Sequence, residues 1–136
     1  MVVGENIARV VRYINVELVP MSGAALQARV ELRRDTGERY IGTAESHDAH
    51  KAPELVAAEA AIHAVCQAAR LDASRMSLRD VQLTKVGDRP VIVVALSGSY
   101  RDQNLPLIGA CHVEGNAPRA AALAVLNATN RLLATG

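Results

Sequence analysis

The sequence predicts an α+β fold in which a strand-strand-strand-helix unit is used twice. The expected product is a largely antiparallel six-stranded sheet with two helices on one face. Three observations carry this expectation. The halves echo each other: Arg29-Val30-Glu31-Leu32 leads to Arg39-Tyr40-Ile41-Gly42-Thr43-Ala44-Glu45 and an alanine-rich segment opening at Pro53, while Val91–Leu96 leads to Leu107-Ile108-Gly109-Ala110-Cys111 and an alanine-rich segment opening at Pro118. Short stretches alternate apolar and polar residues with the period of two that marks a strand. Each half closes on a segment of helical period. A repeat of half the chain is too long for a solenoid, so the copies, 7–71 and 78–135, are expected to pack as one pseudo-symmetric domain over 1–136.

The first strand is expected over 7–19, where Ile14, Val16 and Leu18 alternate with Asn15 and Glu17; Pro20 ends it and Ser22-Gly23 turns the chain. The second carries Leu26, Ala28, Val30 and Leu32 on one face and Gln27, Arg29, Glu31 and Arg33 on the other, one dry and one wet. Asp35-Thr36-Gly37 makes a hairpin into a third strand at 38–45. After a polar loop, Ser46 to Lys51, a helix runs from about Pro53 to Leu71, since Pro tolerates the first turn and Glu54 suits its positive dipole end. Its apolar stripe is Leu55, Ala58, Ile62, Val65, Cys66 and Ala69, with Glu59, His63, Gln67 and Arg70 opposite, and its many alanines allow close packing on a sheet.

A connector at 72–77 is too short for a flexible linker. The fourth strand, 78–86, turns at Gly87-Asp88 into a fifth at 90–99. There Val91–Leu96 is apolar without alternation, the pattern of a strand covered on both faces. A polar loop, 100–104, leads to the sixth strand at 105–113, where Leu105, Leu107, Cys111 and Val113 oppose Ile108 and His112. Gly115-Asn116-Ala117-Pro118 launches the last helix, with a buried stripe of Ala122, Val125, Leu126, Thr129, Leu132 and Leu133. Function is then expected on the sheet face away from the helices. Arg29, Glu31 and Arg33 make it polar at its edges, and Val91–Leu96 adds apolar surface that suits a second copy of the chain.

Composition narrows the function. The 136 residues are half apolar but only 2% aromatic, all Tyr, which removes the stacking platforms single-stranded nucleic acid needs. Lys+Arg 15 against Asp+Glu 14 leaves a net charge of +1, with no global field for polyanions, so nucleic acid is not expected as a partner. The N-terminus has no basic region followed by an apolar run, and no segment approaches the roughly 20 apolar residues of a membrane span; neither a leader nor a membrane partner is expected. Cys66 and Cys111 lie within apolar segments, the habit of reduced, buried thiols in the cytoplasm.

No residue set calls for a metal, a cofactor or catalysis. His47 and His50, or His63 and Cys66, have ligand-like spacing, but Cys66 belongs to the core stripe and His63 to the wet face. Cys111 and His112 are strand neighbours and point to opposite faces, so they cannot form a nucleophile-base pair. The more specific signal is the pair of loops that precede the helices. Gly115, Asn116, Ala117 and Arg119 surround a helix start whose free N–H groups suit a carboxylate or phosphate, and His47 and Asp48 occupy the equivalent loop of the first copy. These six residues are the candidate ligand site.

At this level the chain resembles the C-terminal regulatory domain of 2-isopropylmalate synthase, a tandem strand-strand-strand-helix fold. Gly115-Asn116-Ala117-Pro118 is similar to that family's Gly-Asn-Gly-Pro turn, with Ala117 in place of the second Gly. The resemblance implies a non-catalytic, homodimeric binding or regulatory module with a small-metabolite site near the repeat junction, and no synthase activity. A structural module that binds a partner protein is the alternative. The strand-strand-loop-helix order with Lys51 is also similar to the end of a double-stranded-RNA-binding domain. That family clamps phosphate with clustered lysines, whereas Lys51 is followed by Ala52-Pro53-Glu54.

Overall fold

The computed structural model describes residues 11–23, 25–48, 51–100 and 103–135. It contains β1 (Val11–Pro20), β2 (Leu26–Arg34), β3 (Arg39–Ser46), α1 (Pro53–Ala69), a 3-10 turn (Ala73–Arg75), β4 (Met76–Val86), β5 (Arg89–Tyr100), β6 (Gln103–His112) and α2 (Ala117–Thr135). The α+β class and the twofold strand-strand-strand-helix order are both present. Residues 7–10 of the expected first strand, and the side chains of Leu132 and Leu133, fall outside what is described.

The single six-stranded sheet is the point of correction: the strands form two antiparallel three-stranded sheets, β1-β2-β3 and β4-β5-β6. The strands that meet the opposite unit's helix are β1, touched by α2, and β4, touched by α1. Each is bulged at the same place, between Tyr13 and Asn15 in β1 and between Leu78 and Asp80 in β4. A bulge bends its strand and leaves a residue out of register, so neither edge offers the regular ladder that joining the sheets would require.

Register shows how alike the units are. Val30 pairs with Val16 and Gly42, and Val94 with Val81 and Gly109. Two residues on, Leu32 faces Tyr13 and Tyr40, and Leu96 faces Leu78 and Leu107. Val30 and Leu32 are buried, as the period-two reading of β2 expects; β5, expected to be covered on both faces, buries Ile92, Val94 and Leu96 on its inner face and leaves Val93 and Ala95 half-buried on the other. The expected 100–104 loop is shorter than the sequence suggests, because β5 and β6 stay paired out to Tyr100 and Gln103.

Each helix lies unusually close to its own sheet. A Cβ at Gly42 would run into the carbonyl of Ala60 and the backbone of Ala64; one at Gly109 would meet the carbonyl of Ala124 and the backbone of Ala128. The alanine row therefore faces the sheet. Ala58 and Ile62, two residues from Ala60, are turned about 200° away, yet they too are buried, as are Ala122 and Leu126 around Ala124. That opposite side is covered where α1 and α2 pack on each other. Ile62 and Leu126, with Ala58 and Ala122, lie on the side where the helices meet, and Ala60, Ala64, Ala124 and Ala128 lie against the sheets.

Side chains reinforce the helix-sheet contact in the same place twice. Gln67 Nε2 donates to the Ile41 carbonyl (2.7 Å), His63 Nδ1 meets the Thr43 carbonyl (2.5 Å), and Asn127 Nδ2 donates to the Ala110 carbonyl (2.7 Å). These carbonyls flank the two close-approach glycines. At the end of α1, Arg70 takes the left-handed conformation (φ 58) and Leu71 N–H returns to the Cys66 carbonyl (2.8 Å), so the helix stops two residues short of the expected Leu71. Arg34 seals this end, donating to the Ala68 carbonyl (2.5 Å) and to Tyr40 Oη (3.0 Å).

Candidate functional site

The loop before α2 is built as the sequence suggests, but most of its chemistry is turned inward. Gly115 has φ 78, a conformation that favours glycine. The Asn116 side chain accepts from Arg119 N–H (3.0 Å), and Ala120 N–H reaches the Asn116 carbonyl (3.1 Å). Asn116 is thus an N-cap. Pro118 has no N–H to offer and that of Arg119 is used within the cap, which narrows the anion site that the turn suggests. Ala117 is half-buried. The Arg119 guanidinium lies over the Tyr13 ring, 5.7 Å from its centre. Burial pushes the Tyr13 phenol up, with Arg119 pulling the other way. This loop is therefore also a joint between the units.

In the first unit, the Ser46 hydroxyl is buried and accepts from Asp48 N–H (3.2 Å), and Lys51 N–H donates to the Asp48 carbonyl (3.1 Å). His47 is exposed, with Nε2 3.9 Å from the Glu45 carboxylate. Helix α1 begins at Pro53, with Ala52 at its N-cap and no side-chain cap. Lys51, the residue behind the RNA-binding likeness, is paired with Glu59 (2.5 Å). The two loops occupy equivalent places, but their side chains lead in different directions: Arg119 crosses to Tyr13 of β1 in the first unit, and His47 turns to Glu45 of its own strand. His50 lies outside the described residues.

The thiols are poorly suited to nucleophilic work. Burial pushes Cys66 up, and nearby Asp72 adds to it; burial pushes Cys111 up as well, against the pull of Arg119. A thiol held protonated is a weak nucleophile. Among the described residues no group of three or more His, Cys, Asp or Glu side chains gathers as metal ligands. No helix of the described residues is long and apolar enough to cross a membrane.

Two features escape sequence reasoning. The outer faces of the two sheets differ sharply. On the first, Glu31 accepts from Arg39 (3.0 and 3.1 Å) and Arg33 (3.4 Å), and Gln27 donates to Glu45 (3.3 Å). On the second, Pro106, Ile108 and Ala110 are exposed beside half-buried Val93 and Ala95, and Ile108 is 71% exposed. The apolar run Val91–Leu96 carries the signal for this surface, but the expectation of one continuous sheet puts it on the same face as Arg29, Glu31 and Arg33, whereas the two sheets are separate. The second feature is a crevice of about 260 Å³ where α1 meets β4, lined by Glu59, Ile62, His63, Met76, Ser77 and Leu78. Nothing in the sequence brings those two segments together without knowing the bulged register of β4. Set against known proteins, the chain matches no family model and no curated protein.

Proposed function

We propose that the chain is a non-catalytic binding or regulatory module of the cytoplasm that works as a homodimer. The observation that carries this reading is the apolar strip of Val93, Ala95, Pro106, Ile108 and Ala110 on the outer face of the second sheet, bordered by Asp80 and Gln82 of β4 and set against the ion-paired Glu31, Arg33 and Arg39 of the first. Its occupant is a second copy. A three-stranded face about 14 Å wide and 34 Å long gives a footprint of roughly 500 Å² per copy, near 1,000 Å² for two, which reaches the lower limit of specific interfaces. A twofold axis through such a face makes it its own complement. Covering Ile108, Val93 and Pro106 would contribute about 3–5 kcal/mol per copy before association costs. The absence of a thiol or histidine poised for chemistry among the described residues supports a binding role over catalysis.

The test uses an internal control. Ile41 and Ile108 hold equivalent positions, each preceding its close-approach glycine on an outer face. Sedimentation equilibrium should show a dimer for the native chain and for Ile41→Lys, and a monomer for Ile108→Lys. A native chain that stays monomeric at high concentration, or a dimer that survives Ile108→Lys, would sink the reading.

A further inference from the structure

The bulge in β4 sets two opposite charges beside the apolar strip of the second sheet. Leu78 pairs with Leu96 on the inner face and Asp80 with Ala95 on the outer one, so Arg79 is the extra residue between them. Arg79 and Asp80 are both exposed, and Arg79 shares with Ala95, Pro106 and Ile108 a shallow concavity of about 370 Å³. Asp80 accepts from Gln82 (2.8 Å), a neutral donor that leaves its charge unbalanced. Among the described residues neither Arg79 nor Asp80 takes part in an ion pair. On the first sheet the corresponding bulge carries Ile14 and Asn15, and Glu31 of that face is already paired with Arg33 and Arg39.

We propose that Arg79 of one copy pairs with Asp80 of the second, twice across the dimer axis, and so fixes how the two faces meet. Two kinds of twofold axis suit such a face, and the charges distinguish them. An axis along the strands would lay β4 of one copy over β6 of the other. The Asp80 carboxylate would then press on Ile108, a charge covered without a partner. An axis across the strands, level with Ala95 and Ile108, lays β6 on β6 and keeps the apolar strip against itself. It also brings the two β4 strands together at the bulge. Each copy supplies one cation and one anion there, in opposite order along the strand, so Arg79 meets Asp80 at both ends. The pair lies at the polar rim, where it selects the arrangement more than it adds affinity.

The pairing presupposes that this face self-associates, and the experiment separates the two. Sedimentation equilibrium at low salt compares the native chain, Arg79→Asp, Asp80→Arg and the double variant. Each single variant should weaken the dimer at least about thirtyfold, because it sets like charges opposite one another twice. An equimolar mixture of the two single variants should dimerise as well as the native chain, since one copy then brings two carboxylates and the other two guanidiniums. The double variant exchanges the charges and should recover the homodimer; should it misfold, the mixture decides. If the native chain dimerises, single variants that match it, or a mixture that stays monomeric, overturn the pairing and leave self-association standing. A native chain that stays monomeric overturns both.

Discussion

The outer faces of the two sheets share a backbone and almost nothing else. Glu31 lies between Asn15 and Ile41 on the first; at the same point of the second, Ala95 lies between Asp80 and Ile108. The first position is a carboxylate held by two arginines and the second a methyl group beside an exposed isoleucine. The inner faces show the reverse: valine opposes glycine and leucine follows two residues later in both units. The fold is determined by what meets the helices, and the solvent-facing positions are free to specialise. One unit covers its outer face with ion pairs, and the other carries an apolar strip on β5 and β6 beside the polar Asp80 and Gln82 of β4.

The strongest way to break this comparison is at the glycines. Gly42→Ala and Gly109→Ala each drive a methyl into helix backbone, which cannot step aside as a flexible side chain would. Each should cost about 3 kcal/mol or more, at the severe end of overpacking, measured by urea denaturation. Nearly equal losses are expected because the two contacts are the same contact. If one glycine tolerates the methyl, the units are not built alike at their most demanding point.

Much of this was legible in the sequence, and the failures have physical causes. Alternation in Leu26–Leu32 identified a dry face because period two is a property of one strand with one sheet partner. Ile41-Gly42 and Ile108-Gly109 stood out as an echo, but a glycine's reason for being there depends on which helix crosses above it. Strand pattern carries no information on whether two edges meet, so the split between β1-β2-β3 and β4-β5-β6 could not be read. The bulges responsible fall in segments whose apolar pattern simply skips a residue. At the candidate loops, Gly115 and Pro118 announced a helix start correctly, while the turn of Asn116 onto Arg119 and of Arg119 onto Tyr13 required coordinates in space.

A smaller effect sharpens the comparison in the core. Val65 and Thr129 hold equivalent positions, both fully buried. Among the described residues the Thr129 hydroxyl is satisfied within its own helix, donating to the Val125 carbonyl (2.9 Å) and more weakly to that of Leu126 (3.3 Å). Those carbonyls keep their helical partners without it, so Thr129→Val should stabilise by about 0.5–1 kcal/mol, and Val65→Thr should destabilise by a similar amount. Thermal unfolding of the pair gives opposite signs if the sites are equivalent; a destabilised Thr129→Val would mean that the hydroxyl serves the other unit.

Next in size are the side chains that tie helix to sheet. His63→Ala and Asn127→Ala each remove one donor to the carbonyl after a close-approach glycine. Both should cost about 0.5–1 kcal/mol in denaturant midpoints, the net value of an ordinary hydrogen bond, and a large asymmetry would show that one tie does more than hold its helix.

The smallest expected effect separates the outer faces by pH. Hydrogen bonding to Arg39, with the charges of Arg39 and Arg33 beside it, holds the Glu31 carboxyl below its ordinary value of 4.5. A lowered carboxyl contributes stability above its ordinary value, and that contribution is lost as pH falls through the depressed value. Glu31→Gln cannot titrate, so its stability should vary less with pH in the acid range and converge on that of the native chain at low pH. Because the pair is open to water, added salt should shrink the difference at neutral pH. Ala95, in the same position on the second sheet, has no charge to lose. Ala95→Gln should therefore leave the acid dependence of the native chain in place, and a change there as large as that from Glu31→Gln would mean that acid acts through the fold as a whole and not through the first unit's face.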